Sequence, residues 1–186
     1  METKSVMLNQ STVWMGAARF ALALAAALAI PNMGLPQYVT GPLVNALLLL
    51  TLEWCGLGQA MAVGMLTPVS AALRGVLPLP LWVMMPFIAV GNAAFVGVFS
   101  LLRRRSPGLA LVAAAVVKFA WLYAAVTALV VWPLHVAVGG NVAAVAIPQA
   151  MVAMMRWPQL GTALAGGLLA FGAQGILRAA GRSKLA

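Results

Sequence analysis

Residues 109–131 read LALVAAAVVKFAWLYAAVTALVV, an apolar run broken by one charged residue, Lys118. Its length matches the about 20 residues that a helix needs to cross about 30 Å of hydrocarbon. In that medium every peptide group must find its partner inside the segment, so the run predicts a membrane-spanning helix. Arg103-Arg104-Arg105 and Ser106-Pro107-Gly108 form a tight basic turn before it, and Pro133 stops it.

The same pattern recurs on either side. Residues 13–30 form an apolar stretch that ends at Pro31, with no small-residue cleavage pattern after it, and it reads as a first span rather than a leader peptide. Residues 43–77 are too long for one helix, about 52 Å if continuous, and Glu53, Gly56, Gly58 and Gln59 interrupt them. They divide at 53–58 into spans 43–54 and 57–77. After Pro78-Leu79-Pro80 a fourth span covers 81–102, the fifth is 109–131, and a sixth covers 159–177. Residues 31–42, with three prolines and two glycines, read as an ordered loop; residues 133–158 read as a second long connection in which 142–155 form a short interfacial helix. The expected architecture is an all-α integral membrane protein, a six-helix bundle forming one membrane domain over residues 1–186.

Composition supports this class and removes others. Of 186 residues 64% are apolar and 7% charged, against roughly 25% charged in soluble domains; mean hydropathy is +1.03. The formal charge of +9 gathers where spans end, which is a topology signal rather than a nucleic-acid footprint. Lys4, Arg103 to Arg105, Arg178, Arg182 and Lys184 fall on the side of the termini, and only Arg74 and Arg156, with His135, on the other. By the positive-inside rule both termini are cytoplasmic and the two long connections external.

Catalytic sets are missing from the sequence. It has no aspartate, and its only glutamates are Glu2 and Glu53, so paired carboxylates and carboxylate-held magnesium have no parts. His135 is the one histidine and has no nucleophile motif beside it. There is no glycine-rich phosphate loop of the Walker type. The single cysteine, Cys55, permits neither an internal disulfide nor a cysteine-ligated cluster. Eleven methionines suit Cu(I) chemically, yet they form no MxxxM array, and core packing accounts for them. The expectation is a non-enzyme with no metal and no cofactor.

What remains is binding or conduction, and polar residues inside spans are where to look. A central Lys or Arg costs about 2.5–3.5 kcal/mol on insertion scales. Lys118 lies roughly 20 Å from the arginine run, too deep to snorkel. Two roles fit it: lining a substrate or water cavity, or bonding a structural partner such as a backbone carbonyl or Glu53. Asn45, Gln159 and Thr162 fall in the outer halves of their spans and Asn92 near mid-depth; each serves as an interhelical hydrogen bond or, if they converge, as part of a pocket. Arg156-Trp157 suits an interfacial anchor and a pocket rim equally. Ala17, Ala21, Ala25 and Ala29, widened by Ala23 and Ala27, give the first span a smooth face. Such a face brings backbones together, within the monomer or against another membrane subunit.

Taken in order, several of these features resemble the substrate-binding S components of energy-coupling factor (ECF) transporters, prokaryotic vitamin importers of the ABC class. The resemblance covers nearly the whole chain: six spans, the alanine stripe of span one, Gly58-x-Ala60-xxx-Gly64 in span three, Pro86 to Asn92 in span four, and Trp157 to Gly167 opening span six. It implies a high-affinity binding subunit without ATPase activity, docking through span one onto a transmembrane T subunit that carries two ABC ATPases. It also implies substrate held between the outer halves of spans four to six, under a lid formed by the loop between spans one and two, with Gln37, Tyr38 and Thr40. The sequence departs from these relatives at Thr67-Pro68, where they often carry an acidic residue, and the pocket region is poor in aromatics. The lone histidine disfavours the nickel and cobalt branch, whereas Lys118 and Arg156 suit an anionic or carboxylate-bearing ligand. A self-contained carrier or channel, and a ligand-free assembly subunit of a membrane complex, are the competing classes; inverted repeats and intramembrane carboxylates, marks of the former, are not seen.

Overall fold

The computed structural model describes residues 2–73, 82–138 and 141–183. The far end of span three with Arg74 and Leu77, the Pro78-Leu79-Pro80 punctuation, the start of span four at Leu81, Gly139-Gly140 and Lys184 lie outside the described residues.

Among the described residues there are seven α-helices: α1 (Glu2–Ala29), α2 (Gln37–Cys55), α3 (Leu57–Leu73), α4 (Met85–Leu102), α5 (Pro107–Val131), α6 (Gln149–Met154) and α7 (Trp157–Ser183). Five helical stretches among the described residues are long and apolar enough to cross a membrane: Thr12–Asn32, Gln37–Cys55, Met85–Leu102, Pro107–Val131 and Gln149–Ala180. α3, with 17 residues, is apolar but shorter. Large apolar side chains cover the outside, Leu22, Leu101 and Leu168 among them. This surface and the five stretches are compatible with a multi-pass membrane protein.

Local chemistry explains the boundaries. Pro31 starts a 3-10 turn, Ile30–Asn32, that closes α1. α2 and α3 part at Gly56, whose φ of +100° few other residues adopt. Pro107 opens α5, where its missing N–H is no loss, and Ser106 Oγ accepts from the Leu109 N–H.

Two expectations are corrected. The 31–42 loop is much shorter, because helix α2 begins at Gln37 and runs through Pro42. Gly41-Pro42 had turn composition, but here Gly41 serves close packing: a Cβ on it would lie 2.8 Å from Thr162 Cγ2 of α7. The 142–155 stretch is not one helix. Residues 141–144 form β2, which pairs antiparallel with β1 (His135–Val138), and only Gln149–Met154 is helical.

Packing depends on small residues. α2 meets α7, α3 meets α4 and α4 meets α5. A Cβ on Gly166 would stand 2.5 Å from Asn45 Cβ and 2.6 Å from the Pro42 carbonyl oxygen, so α2 and α7 touch backbone to backbone. Among the described residues the apolar interior falls into two clusters. One holds Leu48, Leu52, Phe95, Phe99, Ala110 and Ala114; the other holds Met84, Leu122, Val126, Leu129 and Val152. Along α5 the division falls between Ala115 and Leu122, where Lys118 is buried.

Candidate functional site

Lys118 is 3% exposed, and its surroundings are built from three helices. Its Nζ donates to Asn45 Oδ1 of α2 at 2.6 Å and to Asn92 Oδ1 of α4 at 2.8 Å. It also lies 5.5 Å from the centre of the Phe95 ring, a cation–π distance. An ammonium has three donors, and among the described residues two are taken. Glu53, the other structural partner considered from sequence, is elsewhere: it pairs with Arg103 at 2.6 Å where α2 and α4 end.

Each asparagine is held so that its carbonyl faces the lysine. Asn45 Nδ2 donates to the Gly41 carbonyl at 2.9 Å. Asn92 Nδ2 donates to the Gly64 carbonyl at 2.8 Å and approaches Thr67 Oγ1 at 3.2 Å. The Gly64 carbonyl is free because Pro68, four residues on, has no N–H to give it. Thr67 Oγ1 also donates to that carbonyl, at 3.0 Å. Gly64 matters in a second way, since a Cβ there would lie 3.1 Å from Asn92 Cβ. The proline kink therefore supplies an acceptor, and the glycine lets Asn92 reach it.

Beside Lys118 a cavity of about 380 Å³ opens, within the about 300–1,000 Å³ range of small-molecule sites. Polar groups reach it from Gln37, Thr40, Asn45, Thr67, Asn92 and Gln159, and among the described residues Lys118 is the one cation on its wall. Its apolar lining includes Met151, Met154 and Met155 from α6 and the segment following it. α6 forms a roof: the Met154 carbonyl accepts from Gln37 Nε2 and from Gln159 Nε2, both at 3.2 Å.

Of the residues singled out from sequence, Asn45, Asn92, Lys118 and Gln159 share this cavity, together with Gln37 and Thr40 of the expected lid. Tyr38 does not line it and is 70% exposed. Thr162 is buried, but it donates to the Gln159 carbonyl at 3.2 Å and packs on Gly41, joining α7 to α2 instead of facing the cavity. Arg156 and Trp157 lie apart from it. The Arg156 guanidinium sits 5.0 Å from the Tyr123 ring and reaches Thr127 Oγ1 at 3.5 Å, and Trp157 stacks on Phe119 at 4.9 Å. On α1 the alanines divide: Ala23 and Ala27 are buried, whereas Ala17, Ala21, Ala25 and Ala29 are exposed.

Thr67, the Gly64 carbonyl and the methionines of 151–155 are site members that sequence reasoning missed. The Pro68 interruption was the available signal for the first two. The methionines carried none, because core and cavity walls use the same residue types. Among the described residues no group of three or more His, Cys, Asp or Glu could hold a metal ion.

No family model, curated protein or solved structure matches this chain.

Proposed function

We propose that this chain is the membrane-embedded binding subunit of a small-molecule importer, working as an ECF S component does, and that its cargo is a vitamin-like micronutrient bearing a carboxylate or similar anion. The observation that carries the reading is Lys118: a buried ammonium, held in place by two carboxamides and with a donor to spare, at the wall of a cavity of small-molecule size. An anionic oxygen placed there takes a charge-assisted hydrogen bond in a setting from which most water is excluded. The amides of Gln37 and Gln159 and the hydroxyls of Thr40 and Thr67 add neutral donors and acceptors around it, while the methionines suit an apolar body.

The full arrangement under this reading has α3 as a sixth span, cytoplasmic termini and the cavity at the external end, in a prokaryotic plasma membrane. The Glu53–Arg103 end then faces the cytoplasm, in keeping with the arginine run there. The exposed Ala17, Ala21, Ala25 and Ala29 face is where a transmembrane T subunit carrying two ABC ATPases docks. A binder is favoured over a channel because Leu48, Leu52, Phe95 and Phe99, none more than 2% exposed, fill the interior on the arginine side of Lys118.

Native mass spectrometry of protein purified gently in detergent from its own host tests the reading. The expected result is one retained small molecule, absent from Lys118→Ala and from Lys118→Met, with both variants still monodisperse. Absence of any ligand, together with failure to recover a T subunit and ATPases by co-purification, sinks the importer assignment.

A further inference from the structure

A second cleft lies at the other end of the molecule, about 24 Å away along α2 if measured from Gln37 to Glu53. It has a volume of about 470 Å³ and is lined by Arg103 and Arg104 at the end of α4, Gln174 and Arg178 of α7, and Glu53 of α2. Gln174 and Arg178 are one turn apart and share a helix face. The one carboxylate is already engaged, since Glu53 Oε1 accepts from Arg103 Nη1 at 2.6 Å. Arg104 and Arg178 have no carboxylate partner among the described residues, so the lining carries three guanidiniums against one acid. Below them, Phe99 and Phe171 form an apolar floor with ring centres 6.0 Å apart.

Sorting of charge across a membrane explains why arginines sit at this end. It does not explain why arginines from two helices more than 70 residues apart in sequence, Arg104 and Arg178, converge on one concave surface with an aromatic floor. That combination, cations at the rim and hydrocarbon beneath, matches an amphiphile whose head is a phosphate. Guanidinium forks engage phosphate oxygens in pairs, and basic pockets between helices at the cytoplasmic face recognise anionic lipid head groups. We propose that this cleft is a phosphate-group site, filled by the head group of an anionic phospholipid. The inference is independent of what the Lys118 cavity binds.

The test uses the full chain, delipidated in detergent and titrated with phosphatidylglycerol, phosphatidylcholine or inorganic phosphate, with bound species read by native mass spectrometry. Phosphatidylglycerol is expected to persist as a single adduct where phosphatidylcholine does not, and Arg104→Ala with Arg178→Ala should lower its retention about tenfold or more. Arg105→Ala provides the control: it removes the same charge from the same run, but Arg105 lines a separate apolar groove and not this cleft, so retention should hold. Displacement of the lipid by millimolar inorganic phosphate would keep the site and change the source of its phosphate. Equal retention of the two lipids, or an Arg105→Ala loss as large as that of the double variant, overturns the proposal. If the double alanine variant aggregates, Arg104→Gln with Arg178→Gln gives the same comparison.

Discussion

Replacing a single hydrogen on α7 by a methyl group should have opposite effects at two positions of the same helix. At Gly166 a new Cβ would meet Asn45 Cβ at 2.5 Å, the Pro42 carbonyl oxygen at 2.6 Å and the Ala46 nitrogen at 3.0 Å. Ordinary carbon contacts lie near 3.5–4.0 Å, so roughly 1 Å is missing, and two of the obstructing atoms are backbone. No rotamer change relieves that; α2 and α7 must separate. Overpacking of this kind costs about 1–3 kcal/mol, and rigid neighbours place it near the upper figure. Alanine's better helix propensity returns about 1 kcal/mol, leaving Gly166→Ala about 2 kcal/mol less stable. At Gly172 nothing stands within 4 Å of the added atom, so only the propensity gain of about 1 kcal/mol remains. At about 2–4 °C per kcal/mol, the melting temperature should fall by about 4–8 °C for Gly166→Ala and rise by about 2–4 °C for Gly172→Ala. Fluorescence-detected size exclusion after heating in detergent measures both. Shifts of the same sign, or a Gly166→Ala variant as stable as the parent, refute the backbone contact between α2 and α7.

Two further outcomes test the site and the outer face. Asn92→Leu removes one acceptor from the Lys118 ammonium and one donor from the Gly64 carbonyl, which Thr67 still serves; at about 1.5–3 kcal/mol for a hydrogen bond to a charged group, the midpoint should drop by about 3–12 °C in the same assay. An unchanged midpoint would mean that Asn92 does not hold the lysine. Ala27→Leu forces a larger side chain into a fully buried position and should destabilise by about 1–3 kcal/mol, whereas Ala25→Leu, exposed, should stay within about 0.5 kcal/mol of the parent while abolishing co-purification of a T subunit. Retained co-purification in Ala25→Leu moves the docking surface off this face.

The residues that could be read from sequence are those whose setting is decided within one helix. The 109–131 run declares a span by length and hydropathy, and Lys118 is conspicuous because nothing near it in sequence can neutralise or hydrate it. Asn45 and Asn92 were visible for the same reason. Their convergence on Lys118 was not, because periodicity assigns a residue to a face of its own helix and says nothing of how three helices are rotated against one another. Thr67-Pro68 shows the limit clearly: the missing N–H of Pro68 is evident from sequence, but the group that takes up the freed Gly64 carbonyl comes from α4. Gly41-Pro42 misled in the opposite direction. Glycine and proline together signal a turn, yet α2 begins at Gln37 and carries Pro42 inside it at the loss of one ladder hydrogen bond, while Gly41 is needed for the contact with Thr162. The paired strands at 135–144 carry too few residues for their alternation to stand out from apolar loop.

The two ends of the α2–α7 contact differ in how they can move. At Gly166 the helices interlock through main-chain atoms and have no freedom to slide. At the opposite end, among the described residues, the Met154 carbonyl of α6 accepts from Gln37 of α2 and from Gln159 of α7, and Val152 is the buried side chain of this helix. Lifting α6 gives up those two bonds and that burial, together a few kcal/mol. None of the hydrogen bonds that hold Asn45, Asn92 and Lys118 together runs through α6. Under the proposed binding role, lifting this one short helix over a preformed floor would admit cargo with little rearrangement, and cargo departure would be governed by how firmly that helix closes.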